Sequence, residues 1–202
     1  MFNDDDIKIE LAVSDEQIEA TRAVRKKVFV KELGLSEKKD RENDNCSIHI
    51  LAYIQKGHRI LPVGTMRIRS FGDFVKFERM AVTRHFRKTN VAEAIMQYAF
   101  NFAAIKGHCK VLAACKEELL PRWKRSGFYT NKKMETIEEN GMKLIRIYRD
   151  LPKHPLALTI NSDPALLLAS EGELAKKAQE TSIIDGARLK LAELNEKKKF
   201  EY

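Results

Sequence analysis

Phe77-Glu78-Arg79-Met80-Ala81-Val82-Thr83-Arg84-His85-Phe86-Arg87-Lys88-Thr89-Asn90-Val91-Ala92-Glu93-Ala94-Ile95-Met96 is the stretch whose reading decides the fold. Its first residues run as a strand to Val82, the middle is polar and basic, and the last part opens an apolar helical pattern. A strand that enters a helix through so short a turn presents several backbone N–H groups with no intrahelical partner, at the positive end of the helix dipole. Such a junction attracts anions. Arg87 and Lys88 add side-chain charge suited to phosphate. The residues alone leave two readings open, an anion site and an ordinary turn whose basic residues are only solvated.

Working upstream, Phe71-Gly72-Asp73 reads as a turn after an alternating run, Leu61–Ser70, which Lys56-Gly57 separates from an earlier alternating run, Ser47–Gln55. These runs, with a strand from about Val75 to Val82, make an antiparallel meander. Before it, Ile7–Ala12 alternates as a first strand. Ser14 caps a helix with Gln17 at the capping-box position, and that helix runs to about Val30. Lys31–Cys46 has no clear period and reads as a loop. Downstream, Val91–Ile105 is helical and ends at Gly107, Lys110–Ala114 is a short buried strand, and Glu117–Arg125 is a short helix. Phe128–Arg149 holds two strands around a Glu139-Asn140-Gly141 hairpin turn. Strand–helix–strand following a meander predicts an α/β (α+β mixed) fold, with a mixed, mostly antiparallel sheet and helices on both faces. Beyond Asp150, Pro152, Pro155 and Pro164 break regularity, and Ala165–Lys177 and Gly186–Lys199 read as helices. Residues 1–150 therefore form one domain, and 151–202 a helical C-terminal extension. There is no internal repeat.

The chain has 202 residues, 44% of them hydrophobic, and a net charge of +8. The charge is uneven: residues 1–45 balance to −3, 46–150 to +11, and 151–202 to zero. A basic middle segment suits an anionic small ligand, a nucleic acid or nothing specific. No aromatics interleave with these basic residues as stacking platforms would, which argues against nucleic acid. No apolar run reaches the roughly 18–20 residues of a membrane span, and the acidic start, residues 1–10, is unlike a secretory leader. Cys46, Cys109 and Cys115, an odd count without ligand spacing, argue against a disulfide framework and a metal site, and favour a cytoplasmic setting. Cys109 and Cys115 flank the Lys110–Ala114 strand and read as packing residues. His49, His58, His85, His108 and His154 are scattered, and His49 reads as a satisfied core histidine.

The deciding stretch resembles the acyl-CoA signature of the GNAT acyltransferase superfamily, where a strand ending in Val leads, about five residues on, into R/Q-x-x-G-x-G/A. Arg87-Lys88-Thr89-Asn90-Val91-Ala92 occupies that signature, with Asn90 at the usual first Gly and Lys88 at the position of the common Gly after Arg. Three further features are similar to the family: Arg25–Glu32 with the later Asp40 and Asp44, Val63-Gly64-Thr65-Met66-Arg67, and Trp123-Lys124-Arg125-Ser126-Gly127-Phe128, which departs from the late Y-x-x-x-G-F motif at its first residue. The resemblance covers roughly residues 7–150. It implies acetyl-CoA as acyl donor, no metal, and a small-molecule amine or amino-acid acceptor. Met80, Ala81 and Val82 would meet the pantetheine arm, and Arg87, Lys88, Thr89, Asn90, Val91 and Ala92 would cradle the pyrophosphate. Glu78 would take the amine proton, since an ammonium is not nucleophilic. Trp123 stands where the family often keeps a Tyr that protonates the departing thiolate; an indole N–H can donate a hydrogen bond but is no practical acid.

The expected activity is acetyl transfer to a primary amine by direct attack, the acidic loop Glu32–Asp44 being either an attractor for a cationic amine or a solvated face. The same features are also similar to acyl-carrier-protein-dependent N-acyl amino acid and acyl-homoserine-lactone synthases, whose acidic carrier protein a +11 segment would suit. A third reading is a non-catalytic GNAT-fold binding module. A homodimer is compatible with all three.

Overall fold

The structure, a computed structural model, describes residues 7–181 apart from 57, 58, 132, 134 and 140, with the side chains of 56 and 59 also outside the description. Strand β1 (Ile7–Leu11) leads to helix α1 (Asp15–Arg25), whose start is fixed by the predicted capping box: Gln17 N donates to Ser14 Oγ, and Ser14 N donates to Gln17 Oε1 at 3.0 Å. The helix does not stop near Val30. It widens into a π-helical segment, Lys26–Glu32, whose register shows in Leu33 N donating to Val28 O. The stretch expected as a loop carries α2 (Glu37–Arg41), capped by Ser36, and a 3₁₀ turn at Asp44–Cys46.

Strands β2 (Ile48–Lys56), β3 (Arg59–Phe71) and β4 (Phe74–Val82) form the meander, and α3 (Val91–Ile105) has the predicted bounds. Then come β5 (Lys110–Cys115), α4 (Leu120–Arg125), β6 (Thr136–Glu139) and β7 (Met142–Asp150). The seven strands form one sheet in the order β1-β2-β3-β4-β5-β7-β6, antiparallel except for β4 with β5. Strand alternation sorts its two faces. Ile50, Ala52 and Ile54 of β2 join α3 residues such as Ile95 and Phe102 in the main core, while Leu51 and Tyr53 face Ile18 and Ala20 of α1. Helices α1 and α3 therefore cover opposite faces.

Gly64 shows how closely α3 approaches the sheet. A Cβ there would meet Ile95 Cδ1 at 2.7 Å and Val91 Cγ1 at 3.0 Å. Beyond β7 the expected helix Ala165–Lys177 is broken. A single turn, α5 (Pro164–Leu167), is separated by residues 168–170 from a helix at 171–181. That second helix buries Leu174, Ala175 and Ala178, the two alanines within the main core, and Asn101 Nδ2 of α3 donates to Gln179 Oε1. The expected helix Gly186–Lys199 lies outside the described residues.

Candidate active site

Two irregularities open the sheet at the deciding stretch. The β3–β4 register passes from Thr65↔Ala81 to Arg67↔Glu78, so Met66 stands opposite both Arg79 and Met80. Arg79 is the extra residue, at φ +53, a left-handed conformation unusual for a residue with a Cβ. The bulge switches the pleat: Val75 and Phe77 point to the α3 core before it, and Met80 and Val82 after it. On the other side of β4, the parallel register with β5 pairs only Phe74–Lys76 with Lys110–Leu112. Past that point the strands diverge, and a cavity of about 430 Å³ opens between Phe77–Met80 and Ala114–Lys116.

The divergence leaves one edge of β4 unpaired. Thr83 N donates to Val63 O of β3, so by alternation the N–H and C=O groups of Ala81 also face β3, while those of Met80 and Val82 face the opening. Val82 O is taken by Arg87 Nε at 3.0 Å, and Arg87 Nη2 pairs with Glu32 Oε2 at 2.6 Å. A second cavity of about 320 Å³ continues from the first; Met80, Ala81, Val82, Arg87 and Ala92 line it, and it shares Phe29, Met80 and Trp123 with its neighbour. Its far end is the start of α3. There the amides of Asn90 and Ala92 bond to no described residue, whereas Thr89 N donates to Phe86 O and Val91 N reaches Thr89 Oγ1 at 3.4 Å. Lys88 is exposed, the Val91 side chain is core, and Asn90 has φ −83 rather than a left-handed backbone.

Glu78 lines the larger cavity with its side chain 7% exposed. Oε2 accepts from Arg67 Nη2 at 3.0 Å; Oε1 is buried with no hydrogen-bond partner, Arg69 Nη1 lying 3.6 Å away. Arg67 in turn belongs to a buried ionic network. Its Nη1 donates to Asp44 Oδ1 at 2.8 Å and to the carbonyls of Asp40 and Glu42. Arg25, fully buried, donates to Asp40 Oδ2 and Asp44 Oδ2 and contacts His49 Nδ1 at 3.1 Å. Burial would lift the Asp44 carboxyl, but Arg25, Arg67 and Arg22 hold it below its ordinary value. Burial pushes the His49 imidazole down, so this histidine is the satisfied core residue that was expected.

The network corrects one expectation. Asp40 and Asp44 are neither a solvated face nor a free attractor for an amine, because both are buried on arginines, and Glu32 is paired with Arg87. Cys115 is packed as expected, with burial pushing its thiol up to about 11; Cys109 is exposed. Trp123 packs edge-on against Phe128, ring centroids 4.9 Å apart, and walls both cavities. Tyr129 lies elsewhere, donating to Asp150 and lining a separate pocket beside Tyr148.

Sequence reading gave no site role to Arg79, Glu139 and Lys76. Arg79 Nη1 donates to Glu139 Oε1 at 3.0 Å across the mouth of the larger cavity, and Lys76 lies between Glu78 and Glu139. Burial would lift the Glu139 carboxyl, but Arg79 and Lys76 hold it low. The overall fold that carries this opening is shared with solved structures. An N-acetyltransferase-class protein from Lactobacillus plantarum superposes with a TM-score of 0.64 at 21% identity, covering 72% of this chain and 99% of that one. A GNAT family acetyltransferase from Elizabethkingia anophelis, solved with acetyl-CoA bound, gives 0.54 at 15% identity, covering 73% and 99%. These likenesses show the fold. In sequence, an uncharacterized N-acetyltransferase of Bacillus subtilis (strain 168) is 28% identical over 145 residues, 71% of this chain and all of that protein. The chain thus has the fold of GNAT acetyltransferases and is similar in sequence to N-acetyltransferases. No protein-family model matches the chain. Among its described residues, no helix is long and apolar enough to cross a membrane and no group of side chains is arranged to hold a metal ion.

Proposed function

We propose that this GNAT enzyme transfers the acetyl group of acetyl-CoA to a primary amine by direct attack. The observation that carries the reading is the divergence of β4 from β5 past Lys76↔Leu112, with the Met80 edge unpaired and Glu78 Oε1 unsatisfied beside it. A pantetheine amide can add to the free β4 edge at Met80, as a peptide adds to a sheet edge. The free amides of Asn90 and Ala92, with Arg87 turning from Glu32, suit the pyrophosphate. Glu78 accepts the proton of the incoming ammonium. The freed nitrogen attacks the thioester carbonyl, the amide C–N bond forms, the C–S bond breaks, and the second nitrogen proton passes to the departing thiolate. Trp123 serves as a wall, not an acid.

A second reading keeps the fold and lengthens the donor acyl chain, carried by CoA or by acyl carrier protein. The larger cavity favours it, since it continues past Met80 and Trp123 to Leu35, Met142 and Leu144. We also propose that residues 1–150 are the acyltransferase domain and 151–202 an extension, whose helix at 171–181 packs on α3, and that the enzyme works in the cytoplasm, consistent with three free cysteines.

The test is calorimetric titration with acetyl-CoA, on the wild type, Arg87→Ala and Glu78→Gln, followed by CoA release with a panel of primary amines. Arg87→Ala is expected to weaken binding roughly tenfold, the worth of one charge-assisted hydrogen bond. Glu78→Gln should bind normally and turn over roughly 10²–10⁴-fold more slowly. No binding at millimolar acetyl-CoA would refute the donor assignment, and binding of a long-chain acyl carrier protein in its place would establish the second reading.

A further inference from the structure

Lys76 is the last residue of β4 still paired with β5, at the base of the opening. Its side chain is 21% exposed and lines the larger cavity. The Nζ lies 3.8 Å from Glu78 Oε2 and 3.9 Å from Glu139 Oε2, beyond hydrogen-bond length in both directions. The arginines beside it are tied: Arg67 holds Glu78 at 3.0 Å, and Arg79 holds Glu139 at 3.0 Å. Lys76 is therefore a primary ammonium on a flexible stem, held loosely between two carboxylates inside the acceptor cavity. One of those carboxylates is the proposed base.

We propose that Lys76 is itself an acyl acceptor, modified in cis when no external amine occupies the cavity. This rests on the donor reading above. Glu78 takes one proton from the Nζ ammonium, the nitrogen attacks the thioester carbonyl, the N–C bond forms, the C–S bond breaks, and the second nitrogen proton goes to the departing sulfur, so CoA leaves as the thiol. The product is a neutral Nε-acetyl-lysine. Its formation removes the one cation loosely held between Glu78 and Glu139, and fills part of the acceptor space with an amide. A self-limiting enzyme follows, with external amines protecting Lys76 by competition.

The experiment incubates the full chain with acetyl-CoA alone and follows intact mass and the peptide containing Lys76. The expected result is one acetyl group on Lys76, at a first-order rate independent of protein concentration. It should be absent in Lys76→Arg, which keeps the charge, and roughly 100-fold slower in Glu78→Gln. Parallel calorimetry separates this inference from its foundation. If acetyl-CoA binds and Lys76 stays bare, the inference is overturned whatever amines are acetylated. If exposed lysines such as Lys110 and Lys153 are modified as fast as Lys76 in wild type and Glu78→Gln alike, the reaction is uncatalysed and the inference is equally overturned. If acetyl-CoA does not bind, both readings fall together.

Discussion

Replacing Asp44 by Asn probes the buried network with almost no change of shape. The Asp44 side chain is 3% exposed and accepts from Arg25 at 2.6 Å, Arg67 at 2.8 Å and Arg22 at 3.1 Å. In the variant, Arg25 and Arg67, 0% and 1% exposed, lose a charge partner and face an amide that can donate toward them. Breaking a buried ion pair from one side costs about 3–5 kcal/mol, because the remaining charge stays buried. At roughly 2–4 °C per kcal/mol for a chain of this size, the midpoint of thermal unfolding should fall by roughly 6–20 °C. The reference is Glu37→Gln, whose partners Lys26 and Arg41 are half exposed and which should cost less than about 1 kcal/mol. Urea unfolding at pH 7, read by circular dichroism and by tryptophan fluorescence from Trp123, measures both. An Asp44→Asn protein within 1 kcal/mol of Glu37→Gln, to the roughly 1 kcal/mol limit of such pairs, would refute the claim that the network is dry and charge-balanced.

Stability should fall with acid in two stages. Burial lowers the His49 pKa below 6.5, so below about pH 6.5 the unfolded chain takes a proton the native state resists, and stability declines. Below about pH 4 the same linkage applies to Asp44, whose carboxyl is held low in the fold, and the decline steepens. Urea midpoints from pH 8 to 3 should show both stages, and His49→Gln should weaken only the first, to which His108, also lowered by burial, contributes. Glu32→Gln frees Arg87 from its 2.6 Å partner, so acetyl-CoA binding should tighten by about 1.5- to 5-fold, the worth of one exposed ion pair; unchanged affinity would mean Arg87 does not turn toward the ligand. Trp123→Phe keeps a ring against Phe128 and removes only an N–H with no partner among the described residues, so turnover should stay within about threefold, whereas loss of a true acid would cost roughly 10²–10⁴-fold.

Local chemistry was legible in the chain itself. The Ser14–Gln17 capping box, the bounds of Val91–Ile105 and the meander each follow from neighbouring residues: a cap needs an acceptor and its N3 partner, an amphipathic helix needs its period, and a strand needs alternation. The family motif placed the candidate site at the strand-to-helix junction beside which the two cavities lie. The π-helical segment was missed because α and π turns share one apolar pattern. The broken tail helix was missed although Ser170 and Glu173, a capping box in the structure, mark a new helix start within Ala165–Lys177. The bulge left a faint trace, a spacing of three rather than two between Phe77 and Met80, which alternation alone passes over.

Long-range electrostatics was settled by tertiary structure alone. Arg25, Asp40, Asp44, His49 and Arg67 span two helices, a 3₁₀ turn and two strands, and no sequence spacing shows that the four charged ones are buried together. Only when the α1 face of the sheet closes over them do they lose water, and a charge without water must find a counter-charge. The same closure took Asp40 and Asp44 out of both readings of the acidic loop. It also set Lys76 beside Glu78 and Glu139, a meeting of β4 with β6 across 63 residues that no spacing rule connects. The sequence determined the main strands and helices and which turn carries the family motif; the fold decided which charges are spent on each other.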